Sequence, residues 1–293
     1  MPLRNALLSL IIFLGLSLGF VLTDVGLGLG PFLSYFLMVL MFFVFLKLDY
    51  GDFRKINPRT IAVGLFFVTV MMPLLSLVGN LISSMVFTGA LLAFSCPSAA
   101  SSAFYSSAFG GSSSLAVTIT TISGLASVVL LPIIMLVGVG SSISFSPLSI
   151  LSSLVQIILI PFLIAFLFKK YFKRFSDASL KHEKIISYVI IIFILWGGVA
   201  SGAGYIKGNL YEFFQVNLMI TSLLAVAFAM AYSVGKIFGK KTAITLGVTA
   251  SMKNGILALV IGSATFGPPI LLTMVANLIG QNIILMIVGL VRK

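Results

Sequence analysis

Polar chemistry is scarce in this chain and is concentrated in two short stretches. One is Ser95-Cys96-Pro97-Ser98-Ala99-Ala100-Ser101-Ser102, the other Thr249-Ala250-Ser251-Met252-Lys253-Asn254-Gly255. Both interrupt long apolar runs. Hydroxyls, one amide, one ammonium and helix-breaking residues, without an acid or imidazole among them, suit the binding of an ion or polar solute rather than bond making. The one histidine, His182, lies in the charged stretch Lys181 to Lys184 and reads as a solvated loop residue. The one cysteine, Cys96, leaves no disulfide framework or cysteine-based metal cluster. An intramembrane enzyme would need a nucleophile–base pair or metal ligands at depth, and none is visible.

The elements that must position these stretches follow from composition. The 293 residues are 60% hydrophobic and 8% charged, whereas an average soluble domain carries roughly 25% charged residues. So few charges cannot solvate the surface of a globule this long. A soluble enzyme, a nucleic-acid binder and a disordered protein are excluded; a polytopic membrane protein remains. A helix needs about 20 apolar residues to cross a bilayer. Ten candidate spans result, at 6–22, 31–46, 60–78, 81–109, 113–137, 149–168, 185–202, 214–235, 242–266 and 270–290. The long continuous runs exclude a closed barrel. The N-terminus has no small-x-small cleavage site, so it reads as a retained first helix.

The net charge of +12 reports orientation. Arg4, Lys47, Arg54, Lys55, Arg59, the six basic residues from Lys169 to Lys184, Lys236, Lys240, Lys241, Arg292 and Lys293 fall on one side, which is 16 of the 18 basic residues. Lys207 lies on the other side, and Lys253 lies within the ninth span. The positive-inside rule then puts both termini in the cytoplasm of a cell whose plasma membrane the chain spans. Residues 138–148 form a weak linker between five spans in 1–137 and five in 149–293. An odd number of spans per half inverts one half against the other. The fourth span of each half, spans 4 and 9, is the broken one. Paired broken helices in an inverted repeat are typical of secondary transporters; two incidental kinks are the alternative. If the broken spans cross, Ser98 to Ala103 meets Ala250 to Gly255, and the substrate site lies there.

The motifs Cys96-Pro97 through Ser102, Tyr105, Val117 through Ser123, Met41 to Phe53 (with Lys47-Leu48-Asp49 and Asp52-Phe53), Met72-Pro73, Met252, Asn254 and Gly255 to Ala258 resemble the bile acid:sodium symporter family. The resemblance runs from span 2 to span 10. Arsenite and auxin exporters share the layout. It implies ten helices, with a core of spans 3–5 and 8–10 and a panel of spans 1, 2, 6 and 7. It also implies transport of organic anions with sodium by alternating access. The family's first sodium site falls on Ser102-Ala103, Ala116, Thr120 and Thr249. Only Ser102, Thr120 and Thr249 keep an oxygen there, so a residual sodium site would rest on those three. The second site shares Thr249 and falls on Lys253 and Val68. A cation thus stands where the family keeps a glutamine.

A lysine near a helix centre costs roughly 2.5–3.5 kcal/mol on insertion scales and usually serves function. We read Lys253 as a tethered substitute for the second sodium, which makes transport sodium-independent. Either it stays charged as a counter-ion, giving uniport or exchange, or it cycles a proton. The bland alternative is snorkelling to one interface. Ser98, Ala100, Ser101 and Asn254 are expected to line the substrate site. Gln281 and Asn282 join them, or else serve as interhelical glue. Thr118 and Thr121 read as packing residues, Ser112 to Ser114 as a turn, and Cys96 as a small residue rather than an arsenite ligand. Trp196 reads as lipid-facing or packed. No cofactor is implied. The expected partners are an organic anion and the bilayer, and neither substrate identity nor oligomeric state is legible. A channel or a non-transporting receptor remains open as an alternative.

Overall fold

The computed structural model describes residues 3–47, 56–140, 143 and 145–291, with side chains except at 3–9, 173–178 and 291. The motif residues Leu48-Asp49 and Asp52-Phe53, the basic residues Arg54, Lys55, Arg292 and Lys293, and linker residues 141, 142 and 144 lie outside the described residues. So do the side chains of Arg4, Lys173 and Arg174. Helices account for nearly everything described, and the sole β pairing among the described residues is an isolated bridge.

In chain order the helices begin with α1 (Leu3–Val21), α2 (Thr23–Leu27) and α3 (Leu33–Leu46). A long helix follows, starting as α4 (Pro58–Phe66), passing through a π turn (Phe67–Met71) into α5 (Met72–Leu75), and ending as a 3-10 stretch (Ser76–Leu81). Then come α6 (Ser84–Ser95), α7 (Ser102–Ala108) and α8 (Ser113–Val139). A second helix with an internal π turn (Val155–Leu159) joins α9 (Pro147–Leu154) to α10 (Ile160–Tyr171). The chain continues with α11 (Lys173–Gly208), α12 (Leu210–Gly235), α13 (Lys240–Ser251), α14 (Gly255–Thr265) and α15 (Pro268–Val291). Starts are set by capping oxygens that take the orphan amides of a first turn. Asn57 caps α4, Ser83 caps α6, Ser112 caps α8, Ser146 caps α9 and Asn254 caps α14. Gly110 adopts a φ of +71°, which ends α7 and turns the chain toward Ser112.

Six helices are long and apolar enough to cross a membrane, among them Pro58–Leu81, Ser113–Val139 and Pro268–Leu290. Leu10–Val21, Gly30–Leu46, Ser84–Ser95 and Gly255–Thr265 are shorter apolar helices. Large apolar side chains such as Leu81, Val137 and Ile237 face outward, as they do in a protein whose solvent is lipid. The chain is a multi-pass membrane protein.

Two groups of helices pack internally. α1, α2 and α3 lie against α11, and α10 lies against α3. In the other group α12 packs on α13 and α15, α6 on α15, and α7 on α8 and α13. The groups meet where α11 contacts α14 and α15 and where α8 contacts α9. Small residues permit the closest approaches. A Cβ on Gly15 would stand 2.7 Å from Leu195 Cβ, and one on Gly19 would stand 2.5 Å from Val199 Cβ.

One expectation needs correcting. Lys181 to Lys184 is not a loop, because α11 extends through it and carries His182 on its exposed side. Helix continues there because no proline or glycine interrupts 173–196, and the turn's inward residue, Glu183, finds a cation. Trp196 also does more than pack, since its indole Nε1–H donates to Leu22 O at 2.9 Å beyond the end of α1.

The α1–α11 contact is directly testable. Gly19→Ala overpacks it, a change that costs about 1–3 kcal/mol, and should lower the melting temperature of the detergent-purified protein. Gly204→Ala, whose Cβ enters open space, should not lower it.

Candidate substrate and cation site

Helix α6 ends at Ser95 because Cys96 turns extended (φ −60°, ψ 150°) and Pro97 cannot donate into a continuing turn. Helix α13 ends at Ser251, with Met252 near φ −95°, ψ 92°. Each break leaves loose amides and carbonyls inside an apolar protein. They satisfy one another. Ala99 N–H donates to Met252 O, and Asn254 N–H donates to Pro97 O, both at 2.8 Å. The result is an antiparallel bridge between Ser98 and Lys253. Asn254 then restarts the helix, its Oδ1 accepting from Leu257 N–H at 3.1 Å.

Hydroxyls tie this bridge to α8. Ser98 N–H donates to Ser123 Oγ at 3.3 Å, and Ser98 Oγ donates to Ser102 Oγ at 3.2 Å. Ser102 Oγ and Thr120 Oγ1 share a hydrogen bond of 3.0 Å, and Thr120 Oγ1 also reaches Ala99 O at 3.5 Å. Thr249 is fully buried and spends its hydroxyl on its own helix, at Thr245 O (2.9 Å) and Leu246 O (3.2 Å). Ala116 is buried and Ala103 partly so, and neither side chain carries a ligand atom.

Lys253 is among the largest fully buried side chains. Its target is explained by a proline. In the π turn, Met72 N–H reaches back five residues to Phe67 O. The next carbonyl, Val68 O, would take the amide of residue 73, and Pro73 has none. Lys253 Nζ donates to Val68 O at 2.8 Å. The ammonium therefore links the α4–α5 helix to the second break, and the snorkelling alternative is excluded.

Two cavities flank the bridge. One of about 690 Å³ is lined by Ser98, Ala100, Ala103, Thr120, Thr121 and Asn254, against Met41, Phe45 and Phe104. The other, about 470 Å³, is lined by Ala100, Ser101, Lys253, Asn254, Gln281 and Asn282. Lys47 lines both. The expected substrate residues Ser98, Ala100, Ser101, Asn254, Gln281 and Asn282 thus all reach a cavity. Of the cation-site equivalents, Ala103, Thr120 and Lys253 do so, whereas Ser102, Ala116 and Thr249 are not among the lining residues. Asn282 Nδ2 also donates to Leu278 O at 2.7 Å. Thr118 bonds its own helix at Ser114 O, and Cys96 is a buried free thiol.

Two features escaped the sequence reading. Thr273 and Asn277 are fully buried and Gln281 nearly so, and Thr273 Oγ1, both amide atoms of Asn277 and Gln281 Nε2 have no hydrogen-bond partner. Their spacing of four residues puts them on one face of α15, a polar stripe that helical periodicity could have exposed. The other is the ion pair Lys47–Glu183, which joins residues too far apart in sequence for spacing to predict.

The model of the sodium bile acid symporter family matches residues 34–209. The uncharacterized sodium-dependent transporter YocS of Bacillus subtilis (strain 168) is 22% identical over 262 residues, which are 86% of this chain and 79% of that protein. The probable chloroplastic sodium/metabolite cotransporter BASS2 of Oryza sativa subsp. japonica is 24% identical over 238 residues, 79% of this chain and 56% of that protein. The chain thus spans little more than half of the rice protein's length.

The restart of α14 gives a second test. Asn254→Ala removes a capping oxygen, a loss of about 0.5–2 kcal/mol, and should lower the melting temperature. Asn254→Asp keeps the cap and should retain most of it.

Proposed function

The chain belongs to the sodium bile acid symporter family, and from that premise we propose that it carries a small organic anion across the membrane by alternating access without sodium, Lys253 standing in for the second ion. The family and its relatives are transporters rather than enzymes. The bond from Lys253 Nζ to Val68 O carries the reading. Those two residues are the ones that the family resemblance aligns with the second sodium site, and an ammonium now bridges them. Its proton donors fill the role of a cation among carbonyls, and its charge repels sodium from the same place.

The first sodium position supports the same reading. A hard cation needs several oxygen ligands, preferably anionic ones. Ser102 and Thr120 bond each other, Thr249 is turned onto its own helix, and Ala103 and Ala116 offer nothing. Both curated relatives are named for sodium, so this chain would have left an ion-coupled ancestry by changing its ligands. Coupling then has two forms. Either Lys253 stays charged and transport is uniport or exchange, or the lysine releases and regains a proton in each cycle.

The architecture of this reading is ten spans in two inverted halves, 1–137 and 149–293, joined by 138–148. The broken fourth and ninth spans cross in the core, and α1, α3, α9–α10 and α11 form the panel. The helix order and the pairing of the two breaks support it. On the positive-inside rule the Lys47 end is cytoplasmic, and cavities that reach Lys47 support a state open to that side of the plasma membrane. The positive start of α14 and the Lys253 ammonium favour an anion in the smaller cavity. Ser98, Ala100, Ser101, Asn254, Gln281 and Asn282 would line its path.

The test is exchange of pyruvate, benzoate and cholate in proteoliposomes, with sodium replaced by choline. Rates should be equal in the two salts, and strict dependence on sodium would falsify the reading. Lys253→Gln should lose at least about tenfold of the sodium-free rate, as expected when a buried charge that contacts the transported ion's site is removed.

A further inference from the structure

We propose that Lys47 and Glu183 form an entry station for the substrate's anionic group. Lys47 is the cation that first meets the anion, and Glu183 is an internal competitor that occupies Lys47 while the station is empty. This rests on the organic-anion reading above.

Lys47 Nζ lies 2.5 Å from Glu183 Oε2, which joins the end of α3 to α11. The two partners are unequally placed, since 49% of the lysine side chain is exposed but only 9% of the glutamate's. The carboxylate is fixed from its other side, where Ser187 Oγ donates to Glu183 Oε1 at 3.1 Å. A buried carboxylate with both oxygens engaged does not wander, whereas a half-exposed ammonium keeps donors free to turn outward. Lys47 also lines both cavities. Among the described residues it is the single charged side chain in the lining of the larger one. The smaller one adds Glu183, Lys184 and Lys253. An anion entering either cavity from this end therefore meets Lys47 before it reaches the bridge between the two breaks.

Glu183 holds the same place that the substrate's carboxylate would take on Lys47. Its charge attracts Lys47 and repels an anion that approaches Lys47. Removing the two charges must then act in opposite directions on anion affinity. A pair that only braced α3 against α11 would give variants that weaken transport together.

The experiment measures KM for exchange of whichever of pyruvate, benzoate and cholate the wild type handles fastest. Lys47→Gln should raise KM about fivefold or more, and Glu183→Gln should lower it about twofold or more, because a charge at the rim acts on encounter. Lys47→Arg keeps the charge and should stay within about twofold of wild type. Raising salt from about 0.05 to about 0.5 M should raise the wild-type KM and leave that of Lys47→Gln nearly flat. Variants that shift KM in the same direction, or a Lys47→Gln KM equal to that of Lys47→Arg, overturn the entry station alone. A wild type that exchanges none of the three anions overturns the organic-anion reading and this proposal with it.

Discussion

The structure depends on one constraint: an amide or carbonyl inside an apolar interior must find a partner, because each one left alone costs several kcal/mol. An unbroken helix meets that constraint by itself. This chain breaks two helices and places a proline after a π turn, so three sets of backbone groups need partners from elsewhere. The two breaks answer each other through the Ser98–Lys253 bridge. The remaining carbonyl, Val68 O, is met by the only ammonium buried among the described residues. A cost in the α4–α5 helix and a cost in the α13–α14 break are thus cancelled by one bond. Removing either partner would leave the other unpaired, a loss of a different order from never having had the pair.

Under the proposed function, the same bond would change what the protein can be coupled to. A sodium ion transmits its gradient because its site is sometimes empty. A lysine is tethered and its site is never empty. An ammonium that keeps its proton contributes the same electrostatics on both sides of the membrane, so the carrier equilibrates or exchanges its substrate. An ammonium that releases its proton restores conditional occupancy with a different ion. On the proposed reading, either form cuts the relation to a sodium gradient at residue 253, one position before the asparagine that the resemblance assigns to substrate.

Much of this was legible in the sequence, for reasons that vary with the residue. Pro97, Gly255 and the polar runs around them announced the breaks, since nothing else explains such residues within long apolar segments. Lys253 stood out because burial of a lysine demands a reason. The resemblance put Val68 at the same site, but the bond itself did not stand out: a backbone carbonyl has no letter in the sequence, and Val68 O is left to accept because Pro73 has no amide proton. The extension of α11 through Lys181 to Lys184 was missed because a charged run resembles a loop until the inward residue of its turn finds a partner. Lys47–Glu183 was invisible because the two residues lie far apart in sequence, at the end of α3 and on α11. Gln281 was singled out as a polar residue within its span, but the face it shares with Thr273 and Asn277 was overlooked although the spacing of four was plain.

The distribution of polar contacts bears on how such a protein would move. Lys253–Val68, Ser102–Thr120, Ser98–Ser123 and Ser112–Thr245 all join elements of the group that contains the breaks. Trp196–Leu22 and Lys47–Glu183 join elements of the group around α11. Tyr205 OH, which donates to Glu212 Oε2 at 3.1 Å, spans the short turn where α11 passes into α12. Directional bonds thus stiffen each group, and a local one sits at a covalent connection between them. Where α11 faces α14 and α15 the contacts are apolar, Gly198 lying against Leu259 and Gly202 against Leu271. Apolar contact is non-directional, so sliding along it exchanges one neighbour for another, whereas sliding across a hydrogen bond breaks it. A seam of that kind between two stiff bodies, with cavities on it, supports the proposed alternating access, and Lys253 ties the bridge to the π turn within one of those bodies.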